Sequence, residues 1–131
     1  MSSTFGGNPV CVAAALASLD IIEREKLVER SAVLGRELAE ALSTLASRYR
    51  RHIRMHNGAG LFYSVHLKNS ETGEPLTELC DEIVMSCVRS GVMLFLTGRG
   101  FFKIVPPLTI DREALFEAVD VIGTVMGQVL K

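Results

Sequence analysis

The chain is organised around residues 2–17, which read SSTFGGNPVCVAAALA. The first half of this stretch is a loop of small and hydroxyl residues, and the second half is a run of apolar residues. Asn8 is a good helix N-cap and Pro9 suits the first helical position, because an N–H there has no partner within the helix. The pattern predicts a loop that ends in a capped helix. Hydroxyls and amides before a helix can also hold a phosphate, so capping and phosphate binding both stay open here.

The rest of the sequence predicts further helices and strands in the order helix, helix, strand, helix, strand, strand, helix. The first helix, from about 9 to 22, is apolar on nearly every side, which is typical of a helix buried in a core or against another subunit. The other helices are predicted by apolar residues at helical spacing in 27–48, in 75–91 and after Asp111. Strands are predicted within 53–67, where apolar residues alternate, and at 92–96 and 101–105.

This order of elements predicts an α+β fold. Connections this short favour a small, mainly antiparallel sheet with helices packed on one face, preceded by the long apolar helix. A length of 131 residues suits a single domain with a sizeable core.

Composition argues against several kinds of partner. The formal net charge of −1 gives no electrostatic reason to expect nucleic acid or a membrane surface as a partner, and no apolar run reaches the length of a membrane-spanning helix. The basic stretch 48–54 is a nucleic-acid or phosphate patch or, as we favour, a set of solvated cations at a helix C-terminus. The cysteines and histidines lack metal-ligand spacing, so we predict no metal site and reduced thiols in the cytoplasm. These residues are Cys11, Cys80, Cys87, His52, His56 and His66.

Three segments carry a resemblance to one family. The opening STFGGNP, running into an Ala-rich helix, resembles the segment that follows the catalytic lysine of class III aminotransferases. NGAGLF, from Asn57 to Phe62, resembles the family's Arg-Gly-x-Gly-Leu-Met, and FKIVPPLTI, from Phe102 to Ile110, resembles its Arg-Ile-x-Pro-Pro-Leu-Thr strand. The matches come in family order and resemble the last third of such an enzyme, its C-terminal small domain.

The resemblance implies a fold-type I enzyme that uses pyridoxal phosphate (PLP) to transfer an amino group between an amine or amino acid and a 2-oxo acid. It implies a homodimer, and a large PLP-binding domain that this chain lacks. Within the single domain 1–131 it implies a cofactor-phosphate loop at 1–8, linking helices at 9–48 and an α/β small domain at 53–131.

The resemblance also implies roles for individual residues. Thr4, with Ser3 as a weaker candidate, matches the residue that reaches the PLP phosphate bound by the other subunit. Lys103 stands where many relatives have an arginine that binds the substrate carboxylate, and Arg99 is a possible substitute. Asn57 also replaces an arginine of the family pattern, which leaves the role of that turn open.

No catalytic residue is expected within the chain. The family's Schiff-base lysine would precede residue 1, and none of Lys26, Lys68, Lys103 and Lys131 matches it. We therefore expect the chain alone neither to bind PLP nor to transaminate, so its standing as an enzyme is open. The alternative is a non-catalytic module that uses the same fold for dimerisation or small-ligand binding. The coding sequence upstream of Met1 would distinguish the two.

Overall fold

The computed structural model describes residues 6–130 of the chain. Within this range the helices are α1 (Pro9–Arg24), α2 (Leu27–Arg48), α3 (Thr77–Arg89) and α4 (Arg112–Val129). The strands are β1 (Ile53–Ala59), β2 (Phe62–Leu67), β3 (Phe95–Leu96) and β4 (Phe101–Ile104). The strands form one antiparallel sheet in the order β1-β2-β4-β3, so the α+β prediction is confirmed.

The start of α1 follows the predicted capping chemistry. The Asn8 side-chain Oδ1 accepts hydrogen bonds from the amides of Val10 (3.0 Å) and Cys11 (3.3 Å), and Pro9 lies in the first turn. The helix ends at Arg24, two residues beyond the predicted end. Lys26 then takes a left-handed conformation, with φ of 49°, and turns the chain into α2.

Residues 53–67 form two strands, whereas the predicted element order had one. β1 and β2 are joined by a tight turn in which Gly60 has φ of +55°, a conformation that glycine adopts without strain. Near the start of β1 the register shifts: Ile53 pairs with Leu67, and Met55 pairs with His66. Arg54 is therefore the extra residue of a β-bulge.

The core lies between the sheet and three helices. It is built from the predicted leucine stripe of α2, the Cys80–Cys87 stripe of α3, the apolar stripe of α4 and the alternate residues of the strands that face these helices. Its largest fully buried side chains include Phe102, Leu38, Leu42, Leu67 and Ile122.

Some element boundaries differ from the sequence predictions, and one predicted side-chain cap is not formed. The strand predicted at 92–96 is only Phe95–Leu96, because the Val92 amide donates to the Cys87 carbonyl at 2.9 Å and so belongs to the C-terminal turn of α3. Helix α3 begins at Thr77 and not at Pro75. Asp111 lies at the N-cap of α4 as predicted, yet its side chain makes no capping hydrogen bond.

Helix α1 lies apart from this core. None of its residues is buried, and it packs mainly against α2. Its exposed apolar side chains include Leu16 and Leu19, with 58% and 57% of their surface accessible. Over residues 6–130, no helix is both long and apolar enough to cross a membrane.

Candidate functional site

One face of the sheet carries no helix in the described part of the chain, and we call it the open face. Because side chains alternate along a strand, the pairing places one set of residues together on this face. The set is Met55, Asn57, Phe62, Ser64, His66, Phe95, Phe101 and Lys103. The opposite side chains, among them Tyr63, Val65, Phe102 and Ile104, are buried in the core.

A row of four residues crosses the open face from edge to edge. Asn57 pairs with Ser64, Ser64 with Lys103, and Lys103 with Phe95. Cross-strand partners have neighbouring side chains, so the row sets an amide, a hydroxyl, an ammonium group and an aromatic ring side by side.

Lys103 is half-buried in this row, although its charge has no acidic partner. Its Nζ lies 5.6 Å from the centroid of the Phe62 ring, which is a cation–π distance. Among the ion pairs of residues 6–130, none involves Lys103. The ammonium group is therefore available to an anion.

Ser64 joins two other polar side chains of the face into a network. Its Oγ contacts Asn57 Oδ1 by a short hydrogen bond and lies 3.0 Å from His66 Nε2. The His66 ring stacks on Phe101, with 4.5 Å between centroids and 14° between planes. Burial lowers the pKa of His66, and the nearby Arg54 charge lowers it further, so this imidazole is neutral near pH 7.

The strands of the sheet carry positively charged side chains and no negatively charged ones. None of the four strands contains an aspartate or a glutamate, whereas Arg54 and Lys103 are cations. The open face thus presents positive charge and hydrogen-bond donors beside aromatic rings. It is suited to bind an anion with an apolar part.

Arg99 lies elsewhere. It is exposed in the turn between β3 and β4, and in residues 6–130 it makes neither an ion pair nor a side-chain hydrogen bond. The structure does not place it in the row that holds Lys103. Its role as a substitute carboxylate contact stays a prediction.

Ser3 and Thr4, the predicted cofactor-phosphate contacts, lie outside the described residues. The described residues next to them can be tested against a phosphate. Two first-turn amides of α1, those of Val10 and Cys11, are already bound to Asn8 Oδ1, and Pro9 has no N–H to offer. The start of α1 is thus satisfied internally and does not fit a phosphate group.

Three lysines lie within the described residues, each in a different setting. Lys26 is exposed at the α1–α2 junction, Lys68 lies at the end of β2, and Lys103 lies on the Phe62 ring. None of the three matches the family's Schiff-base lysine, so the expectation that the chain alone does not bind PLP stays a prediction.

Metal and thiol chemistry find no support in the described range. Across residues 6–130, no three His, Cys, Asp or Glu side chains meet in a way that could hold a metal ion. Burial raises the pKa of Cys80 to about 12, helped by Asp81, and raises that of Cys87 to about 11. These two thiols are core residues, and Cys11 is an exposed free thiol.

A groove of about 580 Å³ lies on the other side of β4. Apolar residues of the α3–β3 connection, of 104–107 and of α4 line it, such as Val92, Leu94, Pro107, Ala118 and Val121. Neither Lys103 nor Arg99 lines this groove. It brings together none of the residues that the sequence predicts for the site.

Sequence reasoning did not single out Phe62, Ser64 or His66 as parts of the site. The sequence does indicate that these three residues share a face, because the alternation that places Tyr63 and Val65 in the core places them on the opposite face. Their relation to Lys103 was not available, since it depends on the pairing of β2 with β4.

The sequence is similar to those of known aminotransferases. Residues 1–126 match the family model described as aminotransferase class-III. The mitochondrial ornithine aminotransferase of Arabidopsis thaliana is 38% identical over 95% of the chain, and the 4-aminobutyrate aminotransferase of Mycobacterium leprae is 34% identical over 97%. The chain spans 26% and 29% of these two relatives, or little more than a quarter of their length.

Solved structures show the same fold. The acetylornithine aminotransferase of Elizabethkingia anophelis aligns with 98% of the chain at 27% identity and a TM-score of 0.86. A PLP-bound amine transaminase from an uncultivated Pseudomonas species aligns with 98% at 30% identity and a TM-score of 0.89. The chain covers 31% and 30% of these two proteins. With this fold and the family model spanning nearly its whole length, the chain belongs to the class III aminotransferases.

Proposed function

We propose that this chain is the C-terminal small-domain segment of a PLP-dependent class III aminotransferase, and that its open face receives the carboxylate of the substrate. The reaction is the transfer of an amino group between an amine or amino acid and a 2-oxo acid. Its support is the family membership together with relatives named as ornithine, 4-aminobutyrate and acetylornithine aminotransferases.

The observation that carries the carboxylate assignment is the environment of Lys103. A half-buried ammonium group without an acidic partner, on a face without acidic residues, favours an anionic ligand. The Phe62 ring holds the cation in place by a cation–π contact. Lysine attracts a carboxylate as a point charge and lacks the planar two-point contact of arginine, so further contacts must orient the ligand.

We propose further that the chain does not transaminate alone. PLP supplies the electron sink of the reaction when it is bound, and it is attached through a lysine. None of Lys26, Lys68 and Lys103 matches the family's Schiff-base lysine, and the chain covers under a third of these relatives. A large PLP-binding domain is the proposed partner, and the loop 1–8, with Thr4 and Ser3, would meet the cofactor only in its presence.

Borohydride trapping tests this assignment. The purified chain is mixed with PLP and an amino donor, reduced with borohydride and mapped by mass spectrometry for pyridoxyl-lysine. We expect no lysine to be labelled stoichiometrically and no turnover. Stoichiometric labelling of one lysine together with turnover of the donor would defeat the proposal that the chain is inactive alone. Free lysine in excess serves as the control for reactive PLP.

A second copy of the chain is the proposed partner of α1. Val12, Leu16 and Leu19 lie along one side of this helix, and Val10 and Ile21 lie along another. All five are exposed, which is more apolar surface than a lone domain normally leaves open. The same observation favours the alternative function, a dimerising module without catalysis. A reducing compartment such as the cytoplasm suits the three free cysteines.

A further inference from the structure

We propose that Asn57 is a second ligand-contacting residue of the open face, and that Asn57 and Lys103 together select a carboxylate with an apolar body. The inference rests on the proposed function, which places the substrate carboxylate at Lys103. It adds a residue that determines orientation and specificity, and it names the chemical class of the ligand.

The Ser64 network fixes which way the Asn57 amide points. Ser64 Oγ contacts Asn57 Oδ1, so the Asn57 carbonyl oxygen accepts the hydroxyl proton. With its proton in that bond, Ser64 Oγ can accept from His66 Nε2, 3.0 Å away, in the tautomer that carries the ring proton on this nitrogen. In this arrangement both N–H groups of Asn57 Nδ2 are free, and no hydrogen bond of residues 6–130 uses them.

The spacing of the row suits one carboxylate. Asn57 and Lys103 are the two cross-strand neighbours of Ser64, so their Cα atoms lie two strand spacings apart, about 10 Å. Ser64 is small and only 8% exposed, so the surface between Asn57 and Lys103 is recessed at this residue. The Asn57 amide and the longer Lys103 side chain rise on either side. A carboxylate above Ser64 can accept from both.

The side chains around Ser64 determine which chemical groups fit beside the carboxylate of the ligand. The neighbouring side chains Phe62 and Phe95 are aromatic and 51% and 58% exposed. The ligand that fits is therefore a carboxylate with an apolar segment next to it.

The structure places both Asn57 and Lys103 beside Ser64. An amide and an ammonium group can together restore the two-point contact that a lone lysine lacks.

The experiment is an NMR titration of the ¹⁵N-labelled 131-residue chain. The probe is 3-phenylpropionate, and its neutral amide, 3-phenylpropanamide, is the matched control. We expect saturable shifts of the Asn57 side-chain NH₂ and of the backbone amides of Ser64 and Lys103 with the carboxylate, and at least about fivefold weaker binding of the amide. Absence of a shift at the Asn57 NH₂ in the wild-type chain overturns the inference.

Variants separate this inference from the proposed function. Asn57→Asp and Asn57→Ala should each weaken 3-phenylpropionate about tenfold, the lower end for a hydrogen bond to a charged group. Gln128→Glu, the same change of charge on the exposed surface of α4, should bind like the wild type. If the Lys103→Met variant binds 3-phenylpropionate as tightly as the wild type does, both the carboxylate assignment and this inference fail. If Lys103→Met loses binding while both Asn57 variants keep it, the inference alone fails.

Discussion

Gly35 of α2 and Gly60 of the β1–β2 turn meet backbone to backbone. A Cβ atom placed on Gly35 would lie 2.3 Å from the carbonyl oxygen of Gly60, far inside any real contact. Next to this point, the buried Tyr63 hydroxyl donates a hydrogen bond of 3.3 Å to the Gly35 carbonyl. The contact sets how closely α2 lies against the hairpin, and hence how the strand that carries Ser64 and His66 is held.

The first prediction concerns Gly35→Ala. Alanine favours an isolated helix over glycine by about 1 kcal/mol, so a stabilising change would be expected without the contact. We expect instead a lower free energy of unfolding, by about 1–3 kcal/mol, because α2 must move away from the turn. Urea denaturation measures it.

Gly123→Ala is the matched control for that variant. Gly123 is also a buried helical glycine, but its added Cβ would meet only the far end of the Leu45 side chain, at 3.3 Å. That side chain can give way, so we expect a change within about 1 kcal/mol of the wild type. Equal losses in the two variants would show that the Gly35–Gly60 contact has no special role.

The second prediction concerns Arg30, whose importance no sequence pattern indicated. From the first turn of α2 its guanidinium donates to the carbonyl of Leu108, at 2.6 Å, and to that of Ile110. It thereby ties the segment that follows β4 to the α1–α2 junction. Arg30→Met should lower the free energy of unfolding by about 1.5–3 kcal/mol, since two carbonyls lose a charged donor.

Arg112→Met is the comparison for Arg30→Met. Arg112 makes an ion pair of 2.7 Å with Glu37, and its side chain is 64% exposed. Such surface pairs contribute at most about 1 kcal/mol, so this variant should be clearly milder. An Arg30→Met protein as stable as the Arg112→Met protein would refute the structural role of Arg30.

The third prediction is a dependence of stability on pH through His66. Burial, and secondarily the Arg54 charge, lower the pKa of His66 in the folded chain below its unfolded value of about 6.5. As the pH falls through about 6.5, the unfolded chain takes up a proton that the folded chain does not, so stability should fall. Denaturation midpoints between pH 7.5 and about 5.5 measure the slope, above the range where carboxylates titrate.

Substitution of this histidine checks the source of the slope. His66→Gln should flatten the dependence, whereas His52→Gln, outside the Ser64 network, should keep it. A slope that survives His66→Gln unchanged would assign it to another group.

The fourth prediction concerns association through α1. The wild-type chain should sediment as a dimer or larger species at tens of micromolar, roughly the range of a modest interface. Leu19→Glu places a charge among Val12, Leu16 and Leu19 and should shift the chain to monomer. Ser18→Glu, on a different side of the same helix, is the control. A clean monomer for the wild-type chain would contradict the proposed self-association.

Much of the fold was predictable because local signals agreed with the packing. The Asn8–Pro9 cap, the leucine stripe of α2 and the alternation in β2 each specify an element without help from distant residues. The errors arose where the local propensity of a residue was outweighed by another interaction in the fold. Val92 is apolar and β-branched, which favours a strand, but its amide completes the C-terminal turn of α3.

The candidate site was predictable only in part. The resemblance singled out Lys103 and Asn57 separately, from two motifs that lie over 40 residues apart. Their common neighbour, Ser64, follows from strand pairing, and pairing depends on long-range contacts that a single sequence does not specify. Arg99 shows the converse, since closeness in sequence to Lys103 did not bring it into the same row.

The β-bulge at Arg54 is a position where related sequences can differ in length by one residue. Arg54 has no partner in the register, and residues on either side of it pair as a regular ladder would. Its deletion would leave Asn57 opposite Ser64 and would remove only a cation from the vicinity of His66. The strand can therefore lose this one residue while the pairing of β1 with β2 on either side of it is kept. An alignment of related sequences should place a single-residue gap between α2 and β2 at this position.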